Sequence, residues 1–371
     1  MHITMNAQDL LDGLNTVTRA LAARHAKQIL EGVLVEADSE GINLTCSDGS
    51  LSIESLLTGD VKEPGRVVLP GKLFTELVRK LPGGNVTVKV GDDHAAHIHC
   101  MSSKSKLAGM NPADYPEMGD VDKGVNVSIP QKQLREMISR VVFAIATDES
   151  RQILTGCLLE VTADEARMVA LDGFRLAMQK VYQPFELPEG TENLKAVIPG
   201  RVLGELSRIL ADEDEFCRML IDKTRMQAFF GNTKLSTVLL AGEYIDYRRI
   251  LPPSFKTTVT ANRDEVQNAI DRASLMAREG KNNLIRMAFS ADTMAITSNA
   301  ELGDVHEELD ARLDGDPLDI AFNAKYITDV IRNITDDELC MHFNSNVSPC
   351  IVKPREGDQF LYLILPVRVF N

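Results

Sequence analysis

The chain repeats itself, and this repetition limits the folds it can adopt more than any other feature of the sequence. One segment begins Leu69-Pro70-Gly71-Lys72, and similar segments begin Ile198-Pro199-Gly200-Arg201 and Phe322-Asn323-Ala324-Lys325. Successive copies are 129 and 124 residues apart. A period of that length matches the size of one domain, so the sequence predicts tandem homologous domains.

Two further sets of segments repeat in nearly the same register. One set is a candidate strand and turn, and the other is a candidate helix with apolar residues at helical spacing. The strand-and-turn set is 44–49, 168–173 and 294–299, and the helical set is 6–21, 130–145 and 261–276. Together the repeats predict three homologous domains, near residues 1–125, 126–254 and 255–371.

Within each predicted domain, helical patterns alternate with groups of strand patterns. Val86–Val90 alternates apolar and polar residues, which is typical of half-buried strands, and Gly32–Glu36 is another candidate strand. Helices laid against antiparallel sheets make an α+β domain. We therefore expect each domain to contain two helices packed on antiparallel sheets, arranged as two similar halves.

The charge balance at first argues against nucleic-acid binding. The 371 residues include 54 acidic and 40 basic side chains, for a net charge of -14, whereas DNA-binding proteins usually carry a basic surplus. Net charge does not fix how charge is distributed, however, so an acidic exterior with a basic inner surface remains compatible with the sequence.

Nothing in the sequence predicts export, membrane insertion or a disulfide framework. The N-terminus lacks a basic region followed by an apolar one, and no apolar run approaches the roughly 20 residues that span a bilayer. The scattered cysteines contain no CxxC pair and predict reduced thiols; they are Cys46, Cys100, Cys157, Cys217, Cys340 and Cys350. We expect a soluble, cytoplasmic protein that holds no cofactor and no metal.

The three copies of the repeated helix carry one charge template. A basic residue, an acid and an arginine occupy positions i, i+4 and i+7, on the helix face opposite the apolar side chains. The copies are Lys72, Glu76 and Arg79; Arg201, Glu205 and Arg208; and Lys325, Asp329 and Arg332. One interpretation is a solvated face with intrahelical ion pairs.

The other interpretation is a phosphate-facing surface, because equivalent helices of domains arranged in an arc all face its centre. Contacts to phosphate position a duplex without reading its sequence. The candidate residues are Lys72, Arg79, Lys80, Arg201, Arg208, Lys325 and Arg332, with Arg140 and Arg272 at equivalent positions of the other repeated helix.

Four segments give the chain a specific family resemblance. Leu171–Ala177 (LDGFRLA), Ile245–Pro252 (IDYRRILP), Phe322–Tyr326 (FNAKY) and Leu363–Arg368 (LILPVR) are similar to four segments of the bacterial DNA sliding clamp, the beta subunit of DNA polymerase III. The resemblance runs from end to end and includes the triplication. It departs at Phe174, where the family usually has histidine or tyrosine, and at Ile245, where it usually has proline.

The resemblance implies a non-catalytic processivity factor with the DNA clamp fold. Clamps of this family form a head-to-tail homodimeric ring that encircles duplex DNA without sequence specificity. They tether the DNA polymerase III catalytic subunit, and they also bind a clamp loader and other replication and repair proteins. The implied dimer interface joins the first domain of one protomer to the last domain of its partner, and the matching residues are Lys104, Lys106, Leu275 and Met276.

The family binds its clients through one pocket between the middle and last domains, into which clients insert a peptide similar to Gln-Leu-x-Leu-Phe. Apolar anchors in a cleft, with a few polar groups fixing the backbone, suit that recognition. The matching residues are Leu154, Leu171, Gly173, Phe174, Arg175, Leu176, Ile245, Arg249, Ile250, Asn323, Tyr326, Val347, Leu363, Leu365, Pro366, Val367 and Arg368. The resemblance also implies DNA contacts at Arg24 and in the loop 147–152, which carries Arg151.

Two other functions are compatible with parts of the sequence. An enzyme needs a catalytic motif, and the chain lacks GxSxG, GxxxxGK[ST] and HExxH. His97, His99 and Cys100, with His94, suggest a transition-metal site, although strand alternation after a turn produces the same pattern. The second alternative is a repeat scaffold that binds proteins but does not encircle DNA.

Overall fold

The computed structural model describes residues 1–22, 27–280 and 283–368. It divides into two compact units, one formed by Met1–Arg135 with Glu205–Leu239 and the other by Glu136–Gly204 with Leu240–Asn371. The chain passes from one unit to the other within two of its helices.

Within the described residues there are six α-helices and 25 strands, which follow the three repeats of the sequence. The first repeat contains β1 (His2–Asn6), α1 (Ala7–Val17), β2 (Gly32–Ala37), β3 (Ile42–Ser47), β4 (Leu51–Leu57), β5 (Asp60–Glu63), β6 (Gly65–Pro70), α2 (Gly71–Arg79), β7 (Asn85–Val90), β8 (Ala96–Cys100) and β9 (Ser103–Leu107). The second contains β10 (Val125–Pro130), α3 (Gln131–Val142), β11 (Gly156–Val161), β12 (Glu165–Leu171), β13 (Arg175–Tyr182), β14 (Leu194–Pro199), α4 (Gly200–Ile209), β15 (Phe216–Ile221), β16 (Arg225–Phe230) and β17 (Thr233–Val238). The third contains β18 (Thr257–Asn262), α5 (Arg263–Glu279), β19 (Leu284–Phe289), β20 (Thr293–Ala300), β21 (Gly303–Asp314), β22 (Leu318–Asn323), α6 (Ala324–Arg332), β23 (Glu338–Phe343), β24 (Cys350–Val352) and β25 (Phe360–Ile364).

The element order repeats three times, as strand, helix, four strands, helix, three strands, with β5 as an extra strand in the first copy. All of the strand pairings within the described residues are antiparallel. The prediction of three homologous α+β domains is therefore confirmed, while the exact domain boundaries stay a prediction.

The sheets continue from one repeat into the next. In the first unit, β17 of the second repeat pairs with β4 of the first, giving an eight-stranded sheet in the order β10-β15-β16-β17-β4-β3-β2-β6 beside a five-stranded sheet, β5-β1-β7-β8-β9. In the second unit, β13 of the second repeat pairs with β25 of the third within a twelve-stranded sheet. Backbone hydrogen bonds thus join consecutive repeats.

The same return contact closes each repeat. After its last strand the chain comes back to the middle of an edge strand, where the Met110 amide donates to the Val68 carbonyl at 2.8 Å. Leu240 donates to the Val197 carbonyl at 2.9 Å, and Val367 to that of Ala321 at 2.8 Å. The three acceptors occupy equivalent positions of β6, β14 and β22. This contact fixes where the segment after each repeat begins.

The repeated helices bury one face, as their spacing predicts. In α2 the residues Phe74 and Val78 are buried while Lys72 and Arg79 are exposed. Asn6, Asn262 and Asn323 cap α1, α5 and α6, each accepting a hydrogen bond from an amide of the first turn. All six cysteines lie in described ranges, and all are buried and free of disulfides. Among the described residues no helix is long and apolar enough to span a membrane.

Glycine begins the second helix of the first two repeats because a neighbouring chain passes too close for a side chain. A Cβ added at Gly71 would lie 2.8 Å from Leu21 Cδ1 and 3.1 Å from the Glu31 carbonyl oxygen. A Cβ at Gly200 would lie 2.8 Å from Ile145 Cδ1 and 2.9 Å from a carbonyl oxygen as well. The close approach is therefore a repeated feature of the fold.

This packing predicts opposite effects for two glycines of the same helix. Gly200→Ala should destabilise the protein by about 1–3 kcal/mol, since the added methyl meets backbone as well as side-chain atoms. Gly204→Ala is the matched control, because a Cβ there meets no atom within 4 Å and alanine favours a helix by about 0.5–1 kcal/mol. Urea unfolding measures both, and equal stabilities would contradict the packing argument.

Candidate functional site

The C-terminal segment and the turn before β13 lie side by side in the second unit. Arg175 pairs with Ile364 and Leu176 with Leu363. The Leu365 amide then donates to the Phe174 carbonyl at 2.9 Å, so the contact extends one step beyond the end of β25. Gly173 has a φ of 93°, a left-handed conformation that favours glycine in the turn.

An apolar cluster underlies these two segments. Its buried members among the candidates are Leu154, Leu171, Leu176 and Leu363, which pack with Leu158, Val169, Met178, Val197, Tyr247 and Ile351. Ile245 and Leu365 are partly buried against the same cluster. The structure therefore brings together six candidate residues from four separate parts of the chain.

Other candidates are apolar and exposed. Phe174 is 56% exposed and Ile250 41%, although both are large hydrophobic side chains, and Val347 is 57% exposed in the segment between β23 and β24. Phe174 stacks on Tyr326 with ring centroids 5.6 Å apart. Exposed apolar side chains next to an apolar floor are typical of binding surfaces.

Other candidates lie next to residues already described. Asn323 is the N-cap residue of α6, Pro366 and Val367 follow Leu365, and Arg368 is exposed. Arg249 is also highly exposed, and its Nε lies 2.9 Å from a carboxylate oxygen of Asp246.

Arg175 is buried, and protein groups occupy all three nitrogens of its guanidinium. Its Nε donates to Asp172 at 3.0 Å, Nη1 to Asp329 at 2.5 Å and Nη2 to the Phe143 carbonyl at 2.6 Å. The guanidinium carbon also lies 4.8 Å from the Tyr326 ring centroid. Arg175 therefore holds β13, α6 and the end of α3 together and supports the ring on which Phe174 stacks.

Asp172, Asp329 and Phe143 contribute to the site although the sequence does not single them out for it. The charge template assigns Asp329 to an intrahelical pair, but the structure pairs it with Arg175. One signal could have pointed to this partner, because the third copy has aspartate where the other two have glutamate. The shorter side chain is less suited to reach along its own helix.

The charge template itself is partly realised as ion pairs. Arg79 pairs with Glu76 and donates to Asn15 at 3.1 Å, and Arg208 pairs with Glu205 at 2.6 Å. Arg332 instead donates to Asp271 at 2.8 Å. Asn15 and Asp271 are equivalent positions of α1 and α5, so the two helices of a repeat are linked in the same way twice.

The other basic candidates fall into two groups. Arg140 pairs with Glu136 and is largely buried, while Arg272 makes a bidentate pair with Glu307 at 2.8 and 2.6 Å. The exposed group is Lys72, Lys80, Arg151, Arg201 and Lys325. Among the described residues Lys72, Lys80, Arg151 and Lys325 have no acidic partner within ion-pair distance. Arg24 lies outside the described residues.

The candidate interface residues lie on an edge strand and on a helix. Lys104 and Lys106 are exposed on β9, the edge of the five-stranded sheet. Leu275 is 63% exposed on α5, and Met276 follows it. His97 and His99 lie on the exposed face of β8, and no group of three potential ligands within the described ranges could hold a metal ion.

Comparison with known proteins covers the whole chain. Models of the N-terminal, central and C-terminal domains of the DNA polymerase III beta subunit match residues 1–119, 128–246 and 248–368. A beta sliding clamp of Staphylococcus aureus is 32% identical over 380 residues, which cover 100% of both chains. The chain belongs to the DNA polymerase III beta subunit family.

Solved structures agree with that membership. The DNA polymerase sliding clamp of Bacillus subtilis is 32% identical with a TM-score of 0.95, and a putative DNA polymerase III beta subunit of Eubacterium rectale is 31% identical with a TM-score of 0.95. Each comparison covers 100% of both chains. The protein is thus a sliding clamp subunit, a non-catalytic accessory factor of replication, as the sequence predicted.

In this sliding clamp the buried Arg175 should matter for stability more than the exposed Arg249. Arg175→Ala leaves Asp172 and Asp329 without their cation, and removing one partner of a buried pair costs about 3–5 kcal/mol. Arg249→Ala removes a surface pair worth at most about 1 kcal/mol. Thermal and urea unfolding of the two variants check this order, and an Arg175→Ala protein as stable as Arg249→Ala would contradict it.

Proposed function

We propose that this protein is a ring-shaped clamp that encircles duplex DNA without sequence specificity and holds polymerases and other clients on it through an apolar pocket. Its clients include the DNA polymerase III catalytic subunit and further replication and repair proteins, and a clamp loader opens the ring. The observation that supports the client site is the buried apolar floor, which contains residues on both sides of exposed Phe174 and of exposed Ile250 along the chain. We place the protein in the cytoplasm and divide the chain into domains near residues 125 and 254.

The pocket fits an extended peptide with aliphatic and aromatic anchors. Leu171, Leu176 and Leu363 supply a floor that excludes water, and Leu365 is partly buried against the same cluster. Exposed Phe174, stacked on Tyr326, offers a rigid ring to an incoming side chain. A peptide similar to Gln-Leu-x-Leu-Phe would bury its leucine and phenylalanine there, and such anchors carry most of the binding energy.

The equivalent junction in the first unit has polar side chains where the proposed pocket has leucines. By the repeat register, Leu171 and Leu176 correspond to Ser47 and Ser52 in the first repeat. Those serines are buried, and Ser236 and Thr237 on the neighbouring β17 are buried too. A hydroxyl-lined surface gives little hydrophobic free energy to apolar anchors, so this junction does not select the same peptide.

We propose that the basic residues of the repeated helices face the duplex. They are Lys72, Arg79, Lys80, Arg201, Arg208, Lys325 and Arg332, with Arg140, Arg151 and Arg272, and Arg24 by family resemblance. Several are balanced by acids, as for Arg79 and Glu76. Partial neutralisation weakens phosphate binding, which suits a ring that slides and is retained by enclosure.

The homodimer is proposed to form between the first repeat of one protomer and the third of its partner. The edge strand β9 presents unpaired backbone groups together with Lys104 and Lys106. In the third repeat, Asp304, Glu308 and Asp310 are exposed along β21. Opposite charges on the two strands favour one orientation of closure, and Leu275 with Met276 adds apolar area on α5.

Peptide binding tests the client site. We expect the peptide Gln-Leu-Ser-Leu-Phe to bind the wild-type protein with a micromolar Kd by calorimetry, and Phe174→Ala to weaken it at least about tenfold, or 1.4 kcal/mol, because the ring is a rigid anchor. Leu365→Ala should act in the same direction. Leu56→Ala is the matched control, since Leu56 is equally apolar and 45% exposed on β4.

The control should bind as the wild type does. A folded wild-type protein that fails to bind the peptide, or a Phe174→Ala protein with unchanged affinity, would contradict the proposed pocket.

A further inference from the structure

The segment between the second and third repeats contains both inward-facing tyrosines and exposed side chains. Tyr244 and Tyr247 point into the protein, where the Tyr247 side chain is 1% exposed and the Tyr244 hydroxyl donates to the Gly156 carbonyl at 3.4 Å. Arg249 and Ile250, which are proposed pocket residues, are exposed. The two tyrosines therefore determine the position of exposed Arg249 and Ile250.

The short 3-10 turn Tyr247–Ile250 has weak local support. Its N-cap residue, Asp246, makes no capping hydrogen bond through its side chain. The backbone hydrogen bonds that close the turn, Arg249 to Asp246 and Leu251 to Arg248, are 3.3 and 3.4 Å long, beyond the usual 2.7–3.2 Å. The position of the turn thus depends on contacts made elsewhere.

Those contacts converge on one buried carboxylate. Glu160 on β11 is 4% exposed, and it accepts hydrogen bonds from the Tyr247 hydroxyl at 2.7 Å and from both terminal nitrogens of Arg248 at 3.3 and 2.7 Å. Lys195 lies 3.5 Å away and Arg167 3.9 Å away. Arg167 also donates to the Tyr247 oxygen at 2.9 Å.

Glu160 is held in its charged form. Burial acts to raise its pKa, but hydrogen bonds from Tyr247 and Arg248 and the nearby arginines outweigh burial, so the pKa lies below its usual value. The carboxylate therefore carries a negative charge beside three cations at physiological pH. Without it, the buried Tyr247 hydroxyl would lose its acceptor and Arg248 its carboxylate partner.

The first repeat supplies an internal comparison. Glu36 on β2 occupies the position equivalent to Glu160, but it pairs with Arg66 at 2.5 Å and not with the segment that follows its repeat. In that segment Tyr115 donates to the Thr45 carbonyl at 3.3 Å, and the preceding turn is capped by Asn111 and stiffened by Pro112. The turn before Tyr115 thus has a side-chain cap and a proline, whereas the Tyr247–Ile250 turn has neither.

We propose that Glu160 is a positioning residue for client binding: it holds Tyr247 and Arg248, and thereby sets the turn that presents Arg249 and Ile250 at the rim of the pocket. This inference rests on the proposed function. Glu160 does not touch the client. It acts through the turn, and its loss moves the rim without removing any rim side chain.

The test compares Glu160→Gln with Glu36→Gln, the equivalent change in the first repeat. Peptide affinity is measured by calorimetry with Gln-Leu-Ser-Leu-Phe, and amide hydrogen exchange is followed in residues 245–251 without peptide. Glu160→Gln should bind about tenfold more weakly and exchange faster in that segment only. Glu36→Gln should match the wild type in both measurements.

A second variant keeps the test decisive if Glu160→Gln folds poorly. Tyr247→Phe removes only one hydroxyl, and it should give a smaller effect in the same direction on both measurements. Combined with Glu160→Gln in a double-mutant cycle, it should add little, because the two groups act as one unit.

The two measurements separate failure of this inference from failure of the pocket. Exchange in 245–251 that is unchanged by Glu160→Gln and Tyr247→Phe overturns the positioning role, whatever the peptide does. A wild-type protein that does not bind the peptide overturns the proposed function, while faster exchange in Glu160→Gln would still support the link between Glu160 and the turn.

Discussion

Antiparallel pairing between strands of consecutive repeats is the constraint on which the rest of the structure depends. Unpaired backbone amides and carbonyls at a sheet edge favour pairing with a further strand, and here β4 pairs with β17 while β13 pairs with β25. The second pairing places Leu363 beside Leu176 and brings Leu365 next to the turn at Gly173. The position of the proposed client site is therefore a consequence of how one repeat continues the sheet of another.

Equivalent positions near the junctions between repeats carry different side chains, although the backbone contacts are the same. The return contact onto β6, β14 and β22 is the same in all three repeats. However, Ser47 and Ser52 of the first repeat correspond to Leu171 and Leu176 of the second. The buried ion pairs diverged as well, since the residue equivalent to Arg175 is Leu51. Pairing geometry is set by the backbone, so side chains at the junction are free to specialise.

The sequence predicts those features of the fold that depend on local residue patterns and on the internal repeat. The three copies, the helices, the alternating strands and the family follow from spacing and from segments such as Leu171–Ala177. It does not predict the partners of buried charges, because Glu160 and Arg248 are 88 residues apart and Arg175 and Asp329 are 154 apart. For the same reason the sequence does not show that each nitrogen of the Arg175 guanidinium bonds to a protein group.

The central claim is that the protein holds DNA by enclosing it, and retention on circular and linear DNA tests that claim most directly. The protein is loaded onto a nicked circular plasmid by a clamp loader, and the DNA-bound fraction is then followed by gel filtration before and after cleavage at a single site. Enclosure predicts stable retention on the circle and loss after cleavage, since a ring slides off free ends. Equal retention on both forms, or none on the circle, would contradict the account and favour a scaffold that binds only proteins.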